Sequence, residues 1–105
     1  MVSESDEFRL ALAIALREEP GFSVVGALST LEAVVGVASA SPCDVVVIDR
    51  PGPGLGDVVE RLRGLAPVPR VILRTDRPVE ERVQPDGVVP LDADPETLME
   101  LLRAM

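Results

Sequence analysis

The sequence predicts an α/β fold in which helices cover both faces of a parallel sheet. Short β-branched runs bounded by turn residues alternate with longer segments whose apolar residues recur every three or four positions. Such alternation is typical of parallel strands joined by right-handed helical crossovers, which together build a doubly wound sheet. At 105 residues the chain has the size of one domain with a single core, and we expect residues 1–105 to form that domain.

Five segments are expected to form the strands. The clearest is the run from Asp44 to Asp49, which is apolar at every interior position, as in a strand covered on both faces. The other segments are residues 1–3, 22–26, 71–75 and 87–90. The first is short for a central strand, and the last ends at a proline, which cannot donate a ladder hydrogen bond.

Four segments are expected to form helices, and each has start or stop signals. The first spans residues 6–19, and the second opens with a capping box from Ser29 to Glu32 and stops near Pro42. The third runs from about residue 55 to 65, and the fourth has Asp94 as N-cap with Pro95 in its first position. The inward positions predicted from helical spacing are Phe8, Ala11, Leu12, Ala15, Leu16, Leu31, Val34, Val35, Ala38, Val58, Val59, Leu62, Leu65, Leu98, Leu101, Leu102 and Met105.

Composition excludes several classes of function. The formal net charge of −8 argues against contact between this domain and DNA or RNA, whose binding requires Lys and Arg to neutralise phosphates. The longest uncharged stretch, residues 20–31, is too short to span a bilayer, and the acidic N-terminus lacks the features of a signal peptide. We therefore expect a cytoplasmic protein. The lone Cys43 is best explained as a small packed residue, because the chain has no histidine to activate it.

Candidate functional residues stand where strands end. In open α/β sheets, sites lie beyond the carboxyl ends of the strands. The residues at these ends are Ser3 and Glu4, Asp49, and Thr75. Asp49 is followed by an irregular Arg-Pro-Gly-Pro-Gly loop, so its carboxylate is expected at the edge of the core.

The run from Asp44 to Leu55 resembles the third strand and following loop of bacterial response-regulator receiver domains. In that resemblance Asp49 takes the place of the phosphoacceptor, and Pro53-Gly54 follows at the family's spacing. Thr75 matches the hydroxyl residue that contacts the phosphoryl group. Ser3-Glu4 matches the pair of acidic residues that, with the phosphoacceptor, holds magnesium.

The resemblance covers nearly the whole chain and implies a flavodoxin-like, receiver-like sheet of five parallel strands in the order 2-1-3-4-5. Residues 19–26 are further similar to receivers attached to LuxR-type helix-turn-helix output domains. The chain is then expected to be the N-terminal part of a longer regulator, whose output domain would contact DNA.

Departures from the family pattern concern its switch. Receivers use a lysine after the fifth strand, but all ten basic residues here are Arg, and Val89, Pro90 and Leu91 stand near that place. Ser3 removes one charge from the acidic pair, so magnesium at Glu4 and Asp49 is expected to bind weakly or not at all. Val88 replaces the aromatic residue of the fifth strand. Only ten residues separate Thr75 from Asp86, so the helix between the last two strands should be shortened or missing.

An arginine could tether Asp49 by a charged hydrogen bond and imitate an occupied site. Arg50, Arg74 and Arg77 are the candidates. Since Arg74 alternates to the opposite face from Thr75, the sequence favours Arg50 or Arg77.

The leading hypothesis is an atypical receiver domain that is not an enzyme, requires no cofactor and signals through protein contacts largely independent of Asp49 phosphorylation. We expect a homodimer formed by the first or last helix. One alternative is a domain that senses a small ligand over Asp49 and the loop from Arg50 to Leu55. Another is a conventional, weakly phosphorylated receiver paired with a histidine kinase.

Overall fold

A computed structural model describes residues 6–19 and 31–104, which form four helices and three strands. In chain order these are α1 (Asp6–Glu18), α2 (Ala33–Ala40), β1 (Val45–Asp49), α3 (Leu55–Arg63), β2 (Arg70–Arg74), β3 (Gly87–Val89) and α4 (Pro95–Ala104). The predicted strands at residues 1–3 and 22–26 lie outside the described residues, as do Ser3 and Glu4.

The three strands form one parallel sheet in the order β1-β2-β3. Strand β1 pairs with β2 from Val45 opposite Arg70 to Asp49 opposite Arg74. The two strands therefore begin and end level with each other. This confirms an α/β fold with parallel strands, and the arrangement is compatible with a flavodoxin-like sheet.

Helices cover both faces of the sheet, as the fully apolar β1 strand predicts. On one face α2 and α3 enclose a core with Val46, Ile48, Val71 and Leu73 from the strands. On the other face α1 and α4 pack over the alternate strand residues; this core contains Phe8, Leu12, Val47, Ile72, Val89, Leu98, Met99 and Leu102. Because strand side chains alternate, β1 and β2 contribute to both cores, whereas β3 contributes Val89 to the core under α1 and α4.

The connection between β2 and β3 contains a single turn at residues 81–83 and no helix. This confirms that the helix expected in the family at this place is missing. Val83, only 1% exposed, packs into the core beside α3 instead. Arg63 of α3 donates hydrogen bonds to the backbone carbonyls of Arg82, Val83 and Gln84, so the connection is fastened to the neighbouring helix.

Most predicted element boundaries agree with the structure to within two residues, but the second helix begins later than predicted. Glu32 is the residue before the first turn of α2 and makes no side-chain cap hydrogen bond there, whereas the proposed capping box depends on Ser29 and stays a prediction. Ser29 and Met105 lie outside the described residues. Ala11, predicted to face inward, is exposed, and Ala13 is buried in its place.

The start of α4 confirms the predicted cap. The Asp94 carboxylate accepts hydrogen bonds from the backbone N–H of Thr97 at 2.8 Å and from its hydroxyl at 2.9 Å. These bonds lower the pKa of the Asp94 carboxyl. Within residues 6–19 and 31–104, no helix combines the length and the apolar character needed to cross a lipid bilayer.

Candidate functional site

Asp49 and Arg74 form a buried ion pair at the carboxyl end of the sheet. The Arg74 Nη1 lies 2.7 Å from Asp49 Oδ1. The Asp49 side chain is 0% exposed and that of Arg74 is 11% exposed. A charge-assisted hydrogen bond this short, held away from water, is among the stronger polar contacts in proteins.

Three further groups hold the Arg74 guanidinium in place. Its Nε donates to the carbonyl of Ala93 at 3.4 Å, and its Nη2 donates to the carbonyl of Leu91. The Phe8 ring of α1 lies beneath it, with 4.1 Å between Cζ and the ring centroid, a favourable cation–π geometry. Arg74 thus joins β1, α1 and the loop between β3 and α4.

The expectation that Arg50 or Arg77, rather than Arg74, tethers Asp49 is wrong. Arg74 does alternate with Thr75, but the relevant comparison is with Asp49, which is its direct partner in the β1–β2 register. Directly paired residues of neighbouring strands project to the same face. The sequence alone did not show this contact, because it depends on the alignment that sets Asp49 at the end of β1 opposite Arg74 at the end of β2.

Leu91 and Ala93, the residues of the two carbonyl acceptors, belong to the loop between β3 and α4. In this chain the cation comes from β2 and reaches that loop from inside the core, through the two backbone carbonyls. Sequence reasoning missed these contacts and the Phe8 stacking, since neither a carbonyl acceptor nor a ring face leaves a residue pattern.

Thr75 follows β2 directly and is buried, 8% exposed. Its hydroxyl oxygen accepts a hydrogen bond from the backbone N–H of Arg77 at 3.1 Å. Its own N–H donates to the carbonyl of Val89 at 2.9 Å, continuing the β2–β3 ladder. The hydroxyl therefore serves the local turn.

The loop after Asp49 is exposed and contains two residues with positive φ. Arg50 has a φ of 51° and Gly54 a φ of 90°. Gly54 immediately precedes α3, while Pro53 and Arg50 are both exposed to solvent. Arg50 keeps its backbone N–H bonded to the carbonyl of Arg74 at 2.8 Å, which holds the end of β1 against β2.

Magnesium binding at this edge remains a prediction. In the described part of the chain, no group of three or more Asp, Glu, Cys or His side chains converges to hold a metal ion. Glu4, the proposed partner of Asp49, is outside those residues.

The arrangement limits what Asp49 can do chemically. A carboxylate that accepts a phosphoryl group must present an oxygen in line with the leaving group. Asp49 is enclosed, and one of its oxygens accepts a hydrogen bond from Arg74. Each of the three Arg74 nitrogens also donates within the protein. The described geometry is therefore that of a neutralised pair within the core.

No protein-family model matches the sequence, and no curated protein matches it at a significant level.

Proposed function

We propose that the chain is an atypical receiver domain of a bacterial response-regulator-type transcriptional regulator, and that it signals through protein contacts without phosphorylation of Asp49. The parallel α/β architecture and an Asp at the end of β1 support the receiver part of the proposal. In the complete regulator a helix-turn-helix output domain contacts DNA, and the domain described here acts in the cytoplasm as part of a homodimer.

The buried ion pair between Asp49 and Arg74 carries the phosphorylation-independent part. Phosphoryl transfer would require the carboxylate to leave Arg74 and become accessible to a donor. Removing one partner of a buried pair typically costs about 3–5 kcal/mol, because the other charge is left unpaired. The Arg74 guanidinium is therefore a cation of the protein itself that stands beside Asp49, in place of a cation bound from solution.

Intact mass after incubation with acetyl phosphate and magnesium tests this proposal. The wild type is compared with Asp49→Asn, which keeps an oxygen to accept from Arg74, and with Asp92→Asn, which removes an exposed carboxylate from the nearby loop. We expect no phosphoryl adduct on the folded wild type.

An adduct present in the wild type and in Asp92→Asn, but lost in Asp49→Asn, would overturn the proposal. The chain would then be a conventional receiver with a weak switch, and a histidine kinase would be its partner. Circular dichroism on the same samples shows that each variant is folded.

A further inference from the structure

The outer face of α1 carries an exposed stripe formed by Glu7, Leu10, Ile14 and Arg17. Leu10 is 64% exposed and Ile14 is 47% exposed, which are high values for large apolar side chains. Glu7 and Arg17 are also exposed. The four positions are spaced three, four and three residues apart, so they form one row along the helix.

This stripe faces away from the sheet. Phe8 and Leu12, which are buried in the core with α4, lie on the opposite side of α1. At 3.6 residues per turn, the mean direction of the stripe is about 160° from that of Phe8 and Leu12. The side chains of the stripe are therefore free to meet another molecule.

The stripe is complementary to itself when a second copy runs in the opposite direction. A two-fold axis that crosses the stripe midway between Leu10 and Ile14 would place Leu10 of one copy against Ile14 of the other. The same axis would place Glu7 of each copy against Arg17 of the other. Apolar contacts thus fall at the centre and opposite charges at both ends, as an isologous interface requires.

We infer that a second copy of this chain docks antiparallel on the stripe of α1. The inference rests on the proposed function, since it names the surface that forms the proposed homodimer. Charge complementarity favours a second copy over an unrelated protein, because in this antiparallel register Glu7 meets Arg17 of the other copy at both ends of the stripe.

The same helix connects this interface with the buried ion pair. Phe8, on the inner face of α1, stacks on the Arg74 guanidinium that binds Asp49. A second copy docked on the outer face of α1 would therefore lie one helix diameter from the Asp49–Arg74 pair, which is proposed to replace the phosphorylation switch.

Sedimentation equilibrium of the 105-residue chain tests the inference. The wild type should show a concentration-dependent monomer–dimer equilibrium. Leu10→Ser and Ile14→Ser should each weaken it by roughly a hundredfold, because two apolar contacts are lost per dimer. Val68→Ser is the matched control, since Val68 is 55% exposed but lies outside α1, and it should leave dimerisation unchanged.

Charge reversal tests the direction of pairing. Glu7→Arg and Arg17→Glu should each weaken self-association by roughly tenfold. An equimolar mixture of the two variants should form a heterodimer with about the affinity of the wild-type dimer. The doubly reversed chain should form a homodimer of the same affinity. Both reversals oppose the dipole of α1, so recovery in the double variant cannot come from a more stable helix.

A monomeric wild type, or a dimer that is indifferent to Leu10→Ser and Ile14→Ser, would overturn the inference. A dimer that the single charge reversals do not weaken would also overturn it, because a parallel pairing already sets like charges against each other. The mass measurement is independent: an unphosphorylated monomer contradicts the docking and the proposed homodimer but not the absence of Asp49 phosphorylation, whereas a dimer phosphorylated on Asp49 contradicts only the proposed phosphorylation-independent signalling.

Discussion

At the scale of single residues, Arg74 has the largest expected influence on stability. It is 9% exposed and satisfies Asp49 and two backbone carbonyls. A buried ion pair need not stabilise a protein relative to an apolar pair, but a buried charge without its partner is costly. The two statements predict different outcomes for single and double variants.

Arg74→Met should lower the free energy of unfolding by about 3 kcal/mol or more, since it removes the buried charge-assisted hydrogen bond to the Asp49 carboxylate. The double variant Asp49→Leu with Arg74→Met should recover most of that loss. Urea denaturation measures both, and Arg70→Met, at the exposed start of the same strand, is the control. A single variant as stable as the control would show that the pair is not important for folding.

The backbone of Arg50 provides a second prediction at this scale. Its φ of 51° lies in the left-handed region, which costs a non-glycine residue roughly 1–2 kcal/mol. Arg50→Gly should therefore raise the free energy of unfolding by about 0.5 kcal/mol, after the greater flexibility of unfolded glycine is counted. Gly54→Ala, at a φ of 90°, should lower it by about 1 kcal/mol.

Thermal unfolding of these two variants and of Arg77→Gly compares the positions directly. Arg77 is exposed and its φ is not positive, so glycine there should destabilise slightly. If Arg50→Gly also destabilises, the conformation after Asp49 is held by contacts stronger than its strain.

At the scale of elements, the connection between β2 and β3 contains one turn and buries the Val83 side chain in the core. Val83 packs against the α3 side of the sheet, while Val88 on the next strand remains 48% exposed. Val83→Ala should lower the free energy of unfolding by about 2 kcal/mol, since it opens a cavity in a close-packed core.

Val88→Ala is the matched control for Val83→Ala, because the same atoms are removed from a half-exposed site. It should cost much less in the same urea experiment. Equal losses in the free energy of unfolding for the two variants would mean that the Val83 side chain of the connection does not stabilise the core by its burial.

The N-cap of α4 gives a pH-dependent prediction. Hydrogen bonds from the Thr97 backbone and hydroxyl lower the folded-state pKa of Asp94 below its usual value near 3.8. A lowered carboxyl pKa contributes stability that is present above the unfolded-state pKa and is lost as pH falls through the folded-state value. Asp94→Ala should therefore lower the Tm at pH 7, and the difference from wild type should shrink below about pH 4.

Melting curves between pH 7 and pH 3 test the role of Asp94, with Asp92→Ala as a control for an exposed carboxylate in the same loop. A Tm difference that stays constant across this range would show that the carboxylate charge does not matter to the cap.

The elements differ in how far the sequence predicts them. The Asp94-Pro95 cap was predictable from the sequence because both residues act within one turn of the chain. The contact between Asp49 and Arg74 was not, since it depends on how two strands are aligned, and a single strand carries no record of its partner's register. The second helix was predicted to open at Ser29, but α2 begins at Ala33, since helix ends are less sharply defined than helix interiors.

At the scale of the whole molecule, alternation of strands and helices was sufficient to predict a parallel sheet covered on both faces. Two of the five predicted strands lie outside the described residues, so the structure shows three parallel strands in the order β1-β2-β3, and the five-strand order stays a prediction. The functional site stays a prediction, and the geometry at the carboxyl end of β1 depends on Arg74, which was the less favoured candidate, and on Phe8, whose stacking was not predicted.

The last prediction follows from the net charge and concerns which domain binds DNA, this one or the proposed output domain. With a formal charge of −8, the folded chain repels the DNA backbone at long range, and non-specific affinity for DNA depends on Lys and Arg that displace counterions. The chain should therefore leave the fluorescence anisotropy of a labelled duplex unchanged even at low salt. A basic DNA-binding domain of similar size is the positive control. Salt-sensitive binding by the chain itself would place DNA recognition within these 105 residues and contradict the proposed need for a separate output domain.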